Sequence, residues 1–398
     1  MIESGAALDR LDPLSSYRSR FVDAPGVIAY LDGNSLGRPL TATAQRVERF
    51  VREEWGGRLI RGWDEGWLEL PLTLGDELGR VALGAAQGQV VIGDSTTVML
   101  YKLVRAALDA RPGRTEIVID RDNFPTDRYV VEGIAADRGL TIRWIDTDAI
   151  GGVTRDLAAM RLGPNTALTV FSSVAYRSGY IADVRAITSL AHAAGALALW
   201  DLSHSTGSVV TELDAWGVDL AVGCGYKYLS GGPGAPAHAY VRTELQASIR
   251  QPIQGWLGSA NPFDMPQGYV PAEGMRGYLS GTPPIMSMLA MKDMIALIDE
   301  VGMPAIRAKS QALTDFAVVL VEELLPDVRI SSPYDPERRG SHITIDHPGF
   351  AELVPRLREA GVVPDFRGPT GIRLGLSPLS TSFAEVEEGV RAIAAMMS

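Results

Sequence analysis

Between about residues 88 and 242, short β-branched runs alternate with stretches of helical periodicity. That rhythm constrains the chain to an α/β domain on a mainly parallel sheet. Gln89–Ile92, Glu116–Asp120, Thr141–Ile145, Ala167–Phe171, Ala196–Asp201, Leu220–Gly225 and Ala237–Val241 read as its seven strands. Polar capping residues mark the helices between them. Asp94-Ser95-Thr96-Thr97 opens a helix to about Ala110, Asn123-Phe124-Pro125-Thr126-Asp127 opens one ending near Gly139, and Asp183 caps one that Gly195 terminates.

The pattern changes after Gly281-Thr282-Pro283-Pro284. Two long helices, Ile285–Val301 and Pro304–Leu325, precede short elements at Val328–Ser331, Ser341–Asp346, Phe350–Ala360, Ile372–Leu376 and Phe383–Met397. This predicts a large α/β domain over 46–284 and a smaller α+β domain over 285–398. Residues 1–45, with the turn Asp32-Gly33-Asn34-Ser35-Leu36-Gly37, form an N-terminal segment expected to pack with the small domain. At 398 residues, two domains match the usual domain size.

Charge narrows the partners. With 48 acidic and 37 basic residues the net charge is −11, which argues against a nucleic-acid groove or an anionic membrane as partner. The N-terminus has neither the basic nor the apolar region of a signal peptide, and no apolar run nears the ~20 residues that span a bilayer. One cysteine, Cys224, excludes a disulfide framework or a cysteine zinc cluster and fits the reducing cytoplasm; no metal site is expected.

Only four of the basic residues are lysines: Lys102, Lys227, Lys292 and Lys309. Lys102, Lys292 and Lys309 fall inside helices and read most simply as solvated charges. Lys227 follows an apolar strand, between Tyr226 and Tyr228 and ahead of Ser230-Gly231-Gly232-Pro233-Gly234. There an amine can be partly desolvated and made nucleophilic, although snorkelling at a strand end is the plain alternative. Asp201 ends another apolar strand, where a buried carboxylate needs a positive partner. Together with hydroxyls at the helix start Ser95-Thr96-Thr97, these residues suit pyridoxal phosphate. That cofactor needs a lysine for its aldehyde, an anion for its ring nitrogen and backbone N–H groups for its phosphate.

The runs Trp200-Asp201-Leu202-Ser203-His204-Ser205-Thr206-Gly207, Trp216-Gly217-Val218-Asp219 and Tyr226-Lys227-Tyr228-Leu229, with Gly232-Pro233-Gly234, resemble kynureninases. Those are fold-type I pyridoxal-phosphate enzymes of the class V aminotransferase superfamily. The likeness extends to Tyr30–Gly37, Asn123–Asp127, Gly281–Pro284 and Gly371-Ile372-Arg373-Leu374, and so covers nearly the whole chain.

The resemblance implies roles. Lys227 would carry the cofactor and move the substrate's α-proton, Asp201 would face the ring nitrogen, and Phe124 would stack on the ring. Asp127, Ser172 and His204 would line the cofactor pocket, with Thr96, Thr97 and Tyr226 at the phosphate. Trp256 and Thr282 would reach that phosphate from a neighbouring subunit, implying a homodimer with shared sites. Arg373 would clamp the substrate carboxylate, with Trp63, Asn34 and Ser35 on the substrate side. On spacing alone each has a plainer reading. Phe124 could be a staple at a helix entry, His204 a satisfied core histidine, Trp256 interface packing and Arg373 a surface charge. For Trp67, beside Trp63, core packing is expected.

The implied reaction is hydrolytic cleavage of L-kynurenine to anthranilate and L-alanine, with Tyr226 the best-placed acid or base for the hydration and protonation steps. Thr282 and Trp63, where other forms carry asparagine and histidine, resemble the bacterial form that prefers kynurenine to 3-hydroxykynurenine. Ser203, Thr206, Gly225 and Ser380 depart from the family pattern, which leaves open a paralogue acting on a substituted kynurenine. A class V aminotransferase needs the same Lys227 and Asp201. A silent pyridoxal-binding module would not need them, and a desulfurase would need a loop cysteine where this chain has only strand-embedded Cys224.

Overall fold

The structure, a computed structural model, describes residues 3–397. After a short strand β1 (Ala29–Leu31), the large sheet is formed by β2 (Val90–Gly93), β3 (Glu116–Asp120), β4 (Thr141–Ile145), β5 (Thr166–Ser172), β6 (Leu197–Asp201), β7 (Leu220–Cys224) and β8 (Ala237–Val241). Its order is β2-β8-β7-β6-β5-β3-β4. β4, β3, β5, β6 and β7 run parallel, whereas β8 is antiparallel to both β7 and β2. Helices cover both faces, so the strands can be apolar throughout. Successive residues of β6 then serve opposite cores: Leu197 and Leu199 pack with Ile117 and Val170, Ala198 and Trp200 with Phe171 and Ala221.

The sequence order of the strands reverses between β3 and β5. In open α/β sheets that crevice, at the carboxyl ends of the strands, is where ligands bind. Asp120 ends β3, Ser172 ends β5, Asp201 ends β6, and Lys227 follows β7 by three residues. The fold therefore delivers these side chains to one edge of the sheet.

A second sheet holds β9 (Arg329–Ile330), β10 (His342–Asp346), β11 (Val362–Arg367) and β12 (Gly371–Gly375), in the order β1-β11-β12-β10-β9. β1 lies parallel to β11, with Leu31 opposite Pro364. The chain's beginning thus enters the sheet made by its end. The helix Gly5–Leu11 continues the attachment, because the Asp9 carboxylate accepts hydrogen bonds from the backbone N–H groups of Phe383 (2.8 Å) and Ala384 (3.0 Å). Those groups open the helix Phe383–Met397, whose first-turn donors would otherwise lack partners. The helices Ile285–Val301 and Met303–Leu324 are separated by Gly302, at a φ of 84° that favours glycine.

Two helix lysines differ from the sequence expectation. Lys102 and Lys309 are buried, not solvated; only Lys292 is partly exposed. Lys309 Nζ pairs with the buried Asp12 carboxylate and sits 3.9 Å from the centre of the Phe383 ring. Strand β11 was also not anticipated. Among the described residues no helix is long and apolar enough to cross a membrane.

Candidate active site

Lys227 leaves β7 through Gly225 and Tyr226, and the turn is tied down on both sides. Gly37 N–H donates to Tyr226 O (2.9 Å), and Ser230 N–H donates to Lys227 O (2.9 Å). The N-terminal turn Asp32–Gly37 is thus fastened to the lysine segment by its backbone. The Lys227 amine is buried, 3.2 Å from His204 Nε2 and 3.5 Å from Nδ1. It also lies 5.7 Å from the centre of the Phe124 ring and 5.9 Å from that of Tyr226. Burial pushes its pKa below the usual lysine value, against the pull of the Asp201 carboxylate.

Asp201 is buried at the end of β6 and accepts a 2.8 Å bond from Ser203 N–H. Asp127, in the first turn of the helix Pro125–Arg138, is buried with Oδ2 lacking a hydrogen-bond partner. Burial raises both carboxyls above the ordinary range; Asp127 is raised further by Asp201 and Asp120, and Lys227 draws both back. Phe124 directly precedes that helix and meets Tyr176 edge-on at 5.3 Å. Ser172 Oγ donates to Asn123 Oδ1 (2.9 Å), joining the ends of β5 and β3 beside them.

His204 and Arg373 close the other side. Arg373, on β12, is wholly buried and is no surface charge. Its Nε and Nη2 reach Asp365 Oδ2 at 2.6 and 2.5 Å, Nη1 donates to Tyr176 O (2.6 Å), and Nη2 donates to Ser35 Oγ (3.1 Å). Nη1 also lies 3.4 Å from His204 Nε2. Burial, then the positive charges of Lys227 and Arg373, hold His204 well below the usual histidine range, so its ring is neutral. Tyr226 is shifted in the opposite sense. Burial, the neighbouring Cys224 and Asp201 raise its phenol, so at neutral pH it keeps its proton and is a donor, not a base.

Asn34 is fully buried with neither amide atom bonded, and Gly375 packs so closely that a Cβ there would meet Asn34 Oδ1 at 1.9 Å. Thr96 and Thr97 form the first turn of the helix Thr96–Asp109, with Ser95 as its N-cap. The structure does not bring Trp63, Trp256 or Thr282 into the hydrogen-bonded group around Lys227 within one chain. Trp63 meets Trp67 edge-on at 5.6 Å, beside Phe50, Ile285 and Leu289. Trp256 is 45% exposed against Phe263, and Thr282 is exposed. The sequence reading missed Asp365, the partner of Arg373. It also missed His342, a buried histidine 5.7 Å from His204 with both ring nitrogens unbonded. The alternation Ser341-His342-Ile343-Thr344-Ile345 was the one local signal for His342, since it points the histidine to the same face as Thr344.

Comparison with known proteins fits this arrangement. The family model for class-V aminotransferases matches residues 80–361. A kynureninase of Pseudomonas fluorescens is 39% identical over 395 residues, covering 97% of this chain and 92% of that protein. One of Burkholderia pseudomallei is 42% identical over 400 residues, covering 98% and 94%. The chain belongs to the kynureninase family. In fold it also resembles a cysteine desulfurase from Thermococcus onnurineus, with a TM-score of 0.82 at 17% identity over 100% of this chain and 98% of that one. The cystine C–S lyase C-DES, solved with glycine covalently linked to its PLP cofactor, gives 0.83 at 17% identity over 95% and 98%. These two share the fold with kynureninases at an identity too low to carry an activity.

The structure gives a local reason for two departures from the kynureninase pattern. A Cβ on Gly225 would meet Met291 Sδ and Pro236 O, each at 2.5 Å, so the residue before Tyr226 has no room for a side chain. Thr206 turns its hydroxyl to Leu202 O and His238 Nε2, both at 3.2 Å, within the protein. Nothing in the structure explains Ser380.

Proposed function

We propose that the protein is a pyridoxal-phosphate-dependent kynureninase that splits L-kynurenine with water into anthranilate and L-alanine. The Cβ–Cγ bond breaks, the hydroxyl of water goes to the acyl carbon, and a proton goes to Cβ. The single observation that carries this reading is a buried lysine amine of lowered pKa at the strand-end crevice of a kynureninase-family chain, with the Asp201 carboxylate at the end of the adjacent strand.

The residues present fit the cofactor. Lys227 supplies the amine for its aldehyde, Asp201 an anion for its ring nitrogen, Phe124 an aromatic face, and Asp127 a buried oxygen without a partner. Thr96 and Thr97 offer hydroxyls and free backbone N–H groups to its phosphate. When bound, the cofactor acts as an electron sink for the carbanion left at the α-carbon.

The protein's own groups do the rest. Burial lowers the pKa of Lys227 Nζ and so favours its neutral form, which can take the α-proton. Arg373 holds the α-carboxylate through the N–H groups that face Ser35 and His204. A neutral His204 accepts from that side without repelling either cation. Tyr226, which retains its phenolic proton, donates it to the departing carbon or to the hydrated carbonyl. The apolar exposure of Trp256, Phe263, Met265 and Val270 supports a homodimer in which Trp256 and Thr282 serve the partner's phosphate site. Residues 1–45 with 285–398 would act as the small domain against 46–284, in a cytoplasmic enzyme whose lone thiol is buried.

The test is purified protein loaded with pyridoxal phosphate and given L-kynurenine. Anthranilate fluorescence should rise, with alanine confirmed by mass, and Lys227→Ala should abolish both. A visible absorbance band of bound cofactor without anthranilate would refute the substrate. Amino transfer to a keto acid would point to an aminotransferase.

A further inference from the structure

Lys102 ties together two pieces of chain that no sequence motif relates. Its Nζ, wholly buried, donates to Asp94 Oδ2 (2.5 Å), Tyr278 O (2.7 Å) and Ser280 Oγ (2.8 Å), which uses all three ammonium hydrogens. Ser280 Oγ in turn donates to Asp94 Oδ2 (3.0 Å). Asp94 sits two residues before Thr96, at a φ of 45° that few residues with a Cβ adopt. Ser280 sits two residues before Thr282. Its carbonyl also accepts from Leu257 N–H (3.2 Å), the residue after Trp256, and Gly255 packs so tightly on it that a Cβ would meet Ser280 O at 2.3 Å. One ammonium therefore fixes both the turn that opens the Thr96–Asp109 helix and the stretch carrying Trp256 and Thr282.

We propose that Lys102 is a positioning residue that couples the two halves of the cofactor's phosphate site. It sets the angle of the Ser95–Thr97 turn for its own subunit, and through Ser280 it sets the Trp256 and Thr282 segments lent to the partner. The proposal rests on the reading above of a dimeric pyridoxal-phosphate enzyme. A buried charge needs its partners, so removing Lys102 releases Asp94, whose strained backbone is held by that pair. The group that suffers is the phosphate and not the pyridine ring, which Asp201 and Phe124 hold from other elements.

The experiment compares the affinity of the full-length apoprotein for pyridoxal phosphate and for phosphate-free pyridoxal, followed by visible absorbance. It uses wild type, Lys102→Met and the milder Ser280→Ala, which leaves the Lys102–Asp94 pair intact. Each variant should lose about tenfold or more for pyridoxal phosphate, the scale of one charge-assisted hydrogen bond, and less than about twofold for pyridoxal. Equal losses for both ligands, or none for either, overturn the coupling, and Ser280→Ala decides alone if Lys102→Met does not fold. Wild-type protein that binds neither ligand overturns the cofactor reading and the coupling with it. Wild-type binding with unchanged variants overturns the coupling alone.

Discussion

Arg373→Lys tests the substrate clamp at a position where the structure predicts a selective loss. Every N–H of the Arg373 guanidinium is aimed at a partner: Asp365 takes Nε and one arm of Nη2, and Tyr176 O takes one arm of Nη1. The remaining two point at Ser35 Oγ (3.1 Å) and His204 Nε2 (3.4 Å), its longest contacts. Those two face the lysine side and are the pair that a carboxylate would take over. A lysine can keep the Asp365 contact but cannot present two parallel N–H groups. Asp365 would still hold Arg367 Nε at 2.9 Å, so the variant leaves no carboxylate unpaired and should fold. Losing one charge-assisted bond costs about 1.5–3 kcal/mol. Since 1.4 kcal/mol is a factor of ten, KM for kynurenine should rise about 10- to 150-fold. Cofactor affinity should not change. The sharper readout is kynurenine amide as a competitive inhibitor. Wild type should bind it more weakly than kynurenine, and Arg373→Lys should discriminate far less between the two. A KM within threefold of wild type, or undiminished discrimination in the variant, would refute the assignment.

Three further outcomes follow from the same geometry. Burial, with Asp122 adding to it, raises the Asp120 carboxyl to about 7, so the native state holds its proton where the unfolded chain has lost it. Its stabilising share is complete below about pH 4 and is lost as pH rises to about 7, worth up to about 4 kcal/mol, so Asp120→Asn should flatten that part of the urea-midpoint profile. Parallel profiles would show the shift to be absent. Lys309→Met strands the buried Asp12 carboxylate and should cost about 3–5 kcal/mol in denaturant unfolding, most of it recovered by adding Asp12→Leu; a double variant as unstable as the single one would contradict this. Gly225→Ser forces a side chain against Met291 and Pro236 O, so it should lower stability by about 1–3 kcal/mol and slow turnover by displacing Tyr226 and Lys227. Wild-type Tm and rate would exclude the clash.

The large sheet was legible because most of its strands are largely apolar, β-branched runs between turn residues, and because its helices carry their own stops. Phe124-Pro125 and Gly139 bracket the helix Pro125–Arg138, and the bounds of Ile285–Val301 were read to the residue. Strand β11 was not legible, since Pro364, Asp365 and Arg367 erase the apolar pattern. It forms between β12 on one side and β1, more than three hundred residues earlier, on the other. With β11 unseen, Asp365 could not be matched to Arg373.

The same limit governs the lysines. Position on a helix gives the direction of a side chain, but what packs against that face is decided by distant segments: Ser280 for Lys102, Asp12 for Lys309. Burial lowers the pKa of both Lys102 and Lys227, so burial alone does not separate a structural amine from a reactive one. Their partners do. Lys102 gives its three protons to a carboxylate, a carbonyl and a hydroxyl, which fix it as an ammonium cross-link. Lys227 lies against the His204 ring and two aromatic faces, and among the described residues no carboxylate lies within ion-pair distance of its nitrogen. An amine held only by a neutral imidazole and ring faces can give up its proton and then its lone pair.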